Sequence, residues 1–243
     1  MLRKTSMVDF PGLISSVLFF SGCNLRCPWC HNKELITGEE SNFVSFEDVF
    51  VHLKKRRSVL GAVVLSGGEP CLQNELPNIV REIKKLSLAV KLDTNGVFPA
   101  MLEQLFSREE TRPDYIALDL KIAPSRYGEL SPKEKNAALG DNLVQSAALI
   151  LKADIAHEYR TLVLPGSFIG EKDIEELALL TDDAPWYFRP FRGGNCLDPA
   201  WDGMEEPALK ANTRAEALAA KARELGKTTC SPKSRSLPAN DYE

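Results

Sequence analysis

No stretch of roughly 18 consecutive apolar residues occurs in this 243-residue chain, so no segment is expected to cross a bilayer as a helix. The longest early apolar run, Val17 to Phe20, is too short for a secretion-signal core, and no small-residue cleavage site follows it. A cytoplasmic location is the expectation. A basic surplus is also missing. The 30 Lys and Arg stand against 34 Asp and Glu, a formal net charge of −4, which argues against a nucleic-acid binder. The one basic run, Lys54-Lys55-Arg56-Arg57, falls where a helix is expected to end, and positive charge there complements the helix dipole. Disulfide staples are not needed, because a chain of this length that is 44% hydrophobic can bury a core without them. A second clustered set of cysteines is absent too. Of the six cysteines, Cys23, Cys27 and Cys30 crowd into one loop, while Cys71, Cys196 and Cys230 are scattered.

What is present is a regular alternation of apolar runs. Strands are expected at Ser16–Phe20, Ala62–Leu65, Leu88–Leu92, Tyr115–Leu118, Tyr159–Leu164 and Trp186–Phe188. Between them, helical patterns open at Ser45, cover Leu76 to Leu86 and Pro99 to Phe106, follow Asp141 as a cap, and span Glu171 to Leu180. A last helix, with Thr213 and Glu216 read as a capping box, stops at Gly226. Alternating strands and helices imply parallel βαβ units. Every strand runs into a special polar or cysteine-bearing segment at its C-terminal end. In a barrel that edge carries the active site, so the expectation is an α/β fold with a parallel sheet, an incomplete (β/α)6 barrel. One domain is expected over 1–226. The stretch 227–243, with two prolines and no periodicity, reads as a polar, disordered tail.

The chemistry concentrates in Ser21-Gly22-Cys23-Asn24-Leu25-Arg26-Cys27-Pro28-Trp29-Cys30-His31-Asn32. Three thiolates at C-x3-C-x2-C spacing can hold three irons of a cubane cluster. A fully protein-ligated [4Fe–4S] cluster takes four cysteines, so three leave one iron open to a ligand. A zinc site completed by His31 or Cys71 is the competing reading, although zinc motifs usually come as two CxxC-type pairs or a pair with spaced histidines. Three buried free cysteines are the other. Gly67-Gly68-Glu69-Pro70 follows the second expected strand. Its glycines permit close backbone approach to a ligand, and Glu69 with the strand-end carbonyls can accept from an ammonium group. Alone the motif is an ordinary turn. Asp93-Thr94-Asn95-Gly96 is open to a reading as a plain Asx turn.

In combination, these motifs resemble the radical SAM superfamily, over about Met1 to Gly226. The family fold is a full or partial (β/α) barrel. The resemblance implies that Cys23, Cys27 and Cys30 hold a [4Fe–4S] cluster whose open iron binds S-adenosylmethionine. Electron transfer from the reduced cluster then cleaves the sulfonium to a 5′-deoxyadenosyl radical. It implies cofactor contacts from Trp29, Gly67, Gly68, Glu69, Asp93, Asp119, Lys121 and Arg160, with Arg160 alternatively an ion-pair partner inside the barrel. Thr5 to Gly12, Cys30-His31-Asn32, Asp93-Thr94-Asn95-Gly96 and Asp119-Leu120-Lys121 resemble segments of glycyl-radical enzyme activating enzymes. By that likeness Asp93, Thr94, Asp119 and the backbone of Ala117 form a Na+ or K+ site, and Lys121 neutralises the cofactor carboxylate. Phe188 to Pro199 resembles activating proteins of anaerobic ribonucleoside-triphosphate reductase. Arg192 stands where the pyruvate formate-lyase activator has histidine.

The resemblance therefore implies a glycyl-radical partner enzyme, that reductase first, and a flavodoxin- or ferredoxin-type electron donor. Cys196 is open to a redox role or a structural one. A radical SAM enzyme acting on a small molecule, such as a 7-carboxy-7-deazaguanine synthase, is the alternative within the superfamily. A non-catalytic metal-binding module is the alternative outside it.

Overall fold

The structure is a computed structural model and describes residues 1–37, 43–131 and 138–232. Its centre is one eight-stranded sheet in the order β1-β2-β3-β4-β5-β6-β7-β8. The strands are β1 (Leu2–Phe10), β2 (Leu13–Phe20), β3 (Ala62–Gly67), β4 (Ala89–Thr94), β5 (Tyr115–Asp119), β6 (Ala156–Val163), β7 (Trp186–Pro190) and β8 (Cys230–Pro232). The helices are α1 (Lys33–Thr37), α2 (Phe46–Arg56), α3 (Leu76–Lys84), α4 (Pro99–Phe106), α5 (Ala138–Ala153), α6 (Glu171–Ala178) and α7 (Ala208–Glu224). The six expected strands are β2 to β7, and they are parallel throughout.

Two strands were not expected. β1 forms an antiparallel hairpin with β2. Its sequence, Leu2-Arg3-Lys4-Thr5-Ser6, carries no buried apolar run because it is an edge strand. β8 pairs parallel to β7 through Cys230 and Ser231, and Cys230 is buried. The sheet thus continues beyond Gly226, into the stretch read as tail; residues 233–243 lie outside the described residues. Two expected helix starts also differ. α5 begins at Ala138, which puts Asp141 in its first turn rather than at its cap. α7 begins at Ala208, and Thr213 sits inside it, its hydroxyl donating to the Leu209 carbonyl at 2.8 Å. Ser45 does cap α2, accepting from the Asp48 N–H at 3.1 Å.

Strand periodicity divides the sheet into two faces. Val63, Leu65, Val90, Leu92, Ile116, Leu118, Tyr159 and Phe188 join apolar residues of α2 to α7 in the main core. All six of those helices therefore cover one face. The other face holds a small apolar cluster of Phe10, Val17, Ala62 and Val64, with Tyr115 packed on it. Toward the C-terminal strand ends that face turns polar, with Ser66, Lys91, Asp93, Asp119, Glu158 and Arg160. A sheet clad by helices on one face alone, with its other face lined by buried charge, is an incomplete barrel.

This division gives a direct stability contrast. Leu92 is fully buried between sheet and helices, so Leu92→Ala should cost about 2–5 kcal/mol. Leu179 is 85% exposed, so Leu179→Ala should change stability by no more than about 0.5 kcal/mol in denaturant titration.

Candidate active site

The cysteine loop leaves the end of β2 and is held from three sides. From within, the Cys30 N–H donates to the Cys27 carbonyl at 3.0 Å, and the Arg26 guanidinium donates to the Cys23 and Leu25 carbonyls at 2.7 and 2.9 Å. From the β3 end, the Gly68 N–H donates to Phe20 O and the Glu69 N–H to Gly22 O, both at 2.9 Å. From the loop after β7, the Leu197 and Asp198 N–H groups donate to the Cys30 and Pro28 carbonyls, both at 2.9 Å. This last brace was not visible in the sequence. The signal for it was the unusual Phe191-to-Pro199 segment, where Cys196 is fully buried.

The GGEP glycines are required by this bracing. Gly67 sits at φ +115°, where a Cβ would fall 2.4 Å from the Phe20 nitrogen. A Cβ on Gly68 would fall 2.0 Å from the Gly22 carbonyl oxygen. Glu69 is 1% exposed, and its carboxylate accepts from three donors: the Cys71 N–H at 3.0 Å, the Thr94 hydroxyl at 2.8 Å and the Asn95 N–H at 2.8 Å. Burial raises its pKa and these hydrogen bonds oppose the rise. The Glu69 side chain thus ties the end of β3 to the turn after β4, and the strand-end carbonyls remain the acceptors suited to an ammonium ligand.

Four charged residues meet at the polar mouth. Arg160 Nε donates to Asp119 Oδ1 at 2.7 Å and its Nη1 to Asp93 Oδ2 at 3.1 Å. Ser66 Oγ also donates to Asp93, at 3.2 Å, and Lys121 Nζ lies 3.4 Å from Asp119 Oδ2. Beneath them Lys91 lies between Asp93 at 3.3 Å and Glu158 at 3.6 Å. Burial alone would raise the Asp119 pKa, but the Arg160 and Lys121 cations outweigh it and bring it down to about 2. Burial opposes the Lys121 charge, yet Asp119 raises its pKa and keeps it an ammonium.

Asp93, Asp119, Lys121 and Arg160 are therefore brought together as the sequence suggested. Thr94 is not. It follows Asp93 on the same strand and faces away, with its hydroxyl on Glu69. Arg160 engages both carboxylates, which is the ion pair foreseen as one of its two readings. Trp29 is 5% exposed and packs with Phe168 and Trp201, at ring-centroid separations of 5.1 and 5.3 Å. This aromatic group shields one side of the cysteine loop. Lys91, Glu158 and Asn95 belong to the site as well. Sequence reading missed them because only strand register and turn geometry reveal their direction.

The donor set fits an iron–sulfur cluster. Burial pushes all three thiols up, Cys27 to about 12. Such thiols become thiolates only beside a strong cation, as bound iron provides. Among the described residues no three His, Cys, Asp or Glu side chains gather around one point as a single metal ion needs. Three sulfurs along one loop suit a polynuclear group taking one bond from each.

Known proteins agree with this geometry. Residues 17–180 match the model of the radical SAM superfamily, and the chain belongs to that family. A Methanocaldococcus jannaschii protein, provisionally assigned as a glycyl-radical enzyme activating enzyme, is 32% identical over 75% of this chain and 74% of its own. The pyruvate formate-lyase 1-activating enzyme of Escherichia coli K12 is 34% identical over 47% of this chain and 48% of its own. Among solved structures, Streptococcus suis SuiB bound to S-adenosylmethionine superposes with a TM-score of 0.64 at 14% identity. That match covers 92% of this chain and 50% of SuiB, so this chain spans half of the larger enzyme and the likeness is one of fold. The protein is a radical SAM enzyme. No helix among the described residues is long and apolar enough to cross a membrane.

Two outcomes test the site. Gly68→Ala should lose most of its iron on anaerobic reconstitution while its circular dichroism stays native, because the added carbon displaces the cysteine loop. Asp119 titrates near pH 2 when folded, against about 3.9 unfolded. Its stabilisation is thus complete above about pH 5 and lost as the pH falls through the folded value. Asp119→Asn should be less stable than wild type by about 2 kcal/mol at pH 7, and the gap should close toward pH 2. A gap independent of pH would contradict the ion-pair assignment.

Proposed function

We propose that this enzyme is an activase that generates a glycyl radical on a partner protein, the anaerobic ribonucleoside-triphosphate reductase first among candidates. The observation that carries this reading is the 32% identity to a provisionally assigned glycyl-radical enzyme activating enzyme over three quarters of both chains. The Phe188-to-Pro199 segment, which braces the cysteine loop, supports the choice of reductase through its resemblance to that enzyme's activators.

Cys23, Cys27 and Cys30 would hold the [4Fe–4S] cluster, leaving one iron for S-adenosylmethionine. When bound, the pair supplies one-electron cleavage of the sulfonium and a carbon-centred radical that takes a hydrogen atom from glycine. The protein's own groups prepare that chemistry. The carbonyls at the end of β3 would accept from the methionine ammonium. Lys121, held as an ammonium by Asp119, attracts the carboxylate end. Arg160 fixes both Asp93 and Asp119, so the mouth keeps its charge pattern as a ligand enters. The Trp29, Phe168 and Trp201 group keeps water from one flank of the loop. A flavodoxin- or ferredoxin-type donor is the proposed source of the electron. A Na+ or K+ ion remains a proposal through the carboxylates of Asp93 and Asp119, with the Thr94 hydroxyl outside it.

One observation favours a second reading. A Hyperthermus butylicus 7-carboxy-7-deazaguanine synthase is 36% identical over 37% of this chain and 38% of its own. Anaerobic incubation of iron-loaded protein with dithionite, S-adenosylmethionine and the reductase from the same source separates the two. The activase reading expects a glycyl-radical EPR doublet together with 5′-deoxyadenosine. Nucleoside release driven by a small molecule, without a protein radical, would favour the second. Cys27→Ser should abolish cluster absorbance, nucleoside release and the radical together.

A further inference from the structure

We propose that the side chain of Asn95 sets the reduction potential of the cluster by donating an N–H···S hydrogen bond to Cys23. The inference deepens the reading of Cys23 as a cluster ligand and rests on it. Asn95 is 3% exposed, and its N–H and both ends of its side-chain amide have assigned partners. Its backbone N–H goes to Glu69 Oε2 at 2.8 Å. Its Oδ1 accepts the Val97 N–H at 3.2 Å, which fixes the oxygen end of the amide. The two Nδ2 protons are left to point the other way. One goes to Asn24 Oδ1 at 3.1 Å, and the other faces Cys23 Sγ at 3.9 Å. A flipped amide would set an oxygen against Asn24 Oδ1 and a nitrogen against the Val97 N–H, so the hydrogen-bond network selects this orientation.

Cys23 Sγ also receives the Leu25 N–H at 3.5 Å, so this sulfur meets two donors, one from its own loop and one from the turn after β4. Donors at a thiolate sulfur lower the electron density it passes to iron. Hydrogen bonds to the sulfurs are among the terms that set the potential of such clusters. A buried donor counts for more than an exposed one, because no water replaces it. Asn95 is therefore a positioning and tuning residue, and the Glu69 carboxylate holds it in place. The DTNG turn would then act on the cluster, beyond its role as a strand-end turn.

The test is a redox titration of the reconstituted holoenzyme, followed by the EPR of the reduced cluster. Asn95→Leu removes the donor without adding charge, and its midpoint potential should move negative of wild type. Asn95→Asp is near-isosteric, keeps the acceptor for Val97 and loses the donor. Asn24→Asp adds a similar charge next to the same loop while leaving the Asn95 donor and its acceptor in place. The expected order runs from Asn95→Asp, the most negative, to Asn24→Asp, with wild type highest. If Asn95→Leu takes up too little iron to titrate, the two aspartate variants decide. An equal shift in both would overturn the proposal, because charge alone would explain it. An unchanged potential in iron-replete Asn95→Leu would overturn it too. The cluster reading fails separately, by wild-type protein that binds no iron–sulfur cluster at all.

Discussion

One buried carboxylate organises the active end of this molecule. Glu69 is enclosed at the end of β3 and bonded through its side chain to Cys71, Thr94 and Asn95. Its own N–H is bonded to Gly22, at the root of the cysteine loop. The ends of β3 and β4 thus share one anion, and the peptide N–H of the same residue ties them to the end of β2. Leaving any of those donors buried without a partner would cost about 1–3 kcal/mol, so the arrangement is cooperative. Gly67 and Gly68, which precede Glu69, make the arrangement sterically possible, since nothing larger fits between the end of β3 and the loop it supports.

A second, separate layer handles charge. Arg160 reaches from β6 to carboxylates on β4 and β5, and Lys91 anchors the row below. Taking this many charges out of water is unfavourable unless each is paired. The alternating register of β4, β5 and β6 is what pairs them: Asp119 stands beside Arg160 across the ladder. The helix-clad face of the same strands is mostly apolar, with Thr94 and Thr161 hydrogen-bonded within it, which lets the sheet carry a polar interior without losing its core. The loop after β7 closes the remaining side through Trp201 and through the backbone bonds from Leu197 and Asp198.

The sequence made the parallel strands legible because each is a short apolar run between amphipathic helices. It hid β1, whose edge position tolerates alternating polar residues, and β8, which is three residues long and joins the sheet only through its neighbour β7. Thr213 looked like a helix start because its hydroxyl chemistry is the same at a cap and inside α7, where it bonds back to Leu209. At the site, the cysteine spacing and the polar strand ends announced themselves. The partners of those residues did not. That Glu69 faces Asn95, that Thr94 turns away from Asp93, and that Trp29 packs on Trp201 are consequences of register and turn geometry, which residue types alone do not encode.

The account stands on the claim that the Glu69 carboxylate supports the cluster-binding loop from the β3 end, through the Asn95 turn that it holds. Glu69→Gln changes the side chain by one group and replaces an acceptor oxygen with a donor nitrogen. Iron content per chain and the visible spectrum after anaerobic reconstitution, measured beside wild type, test the claim directly. The account predicts a cluster in wild type and loss of most iron in Glu69→Gln, with secondary structure retained. A Glu69→Gln protein that loads iron as fully as wild type would contradict it.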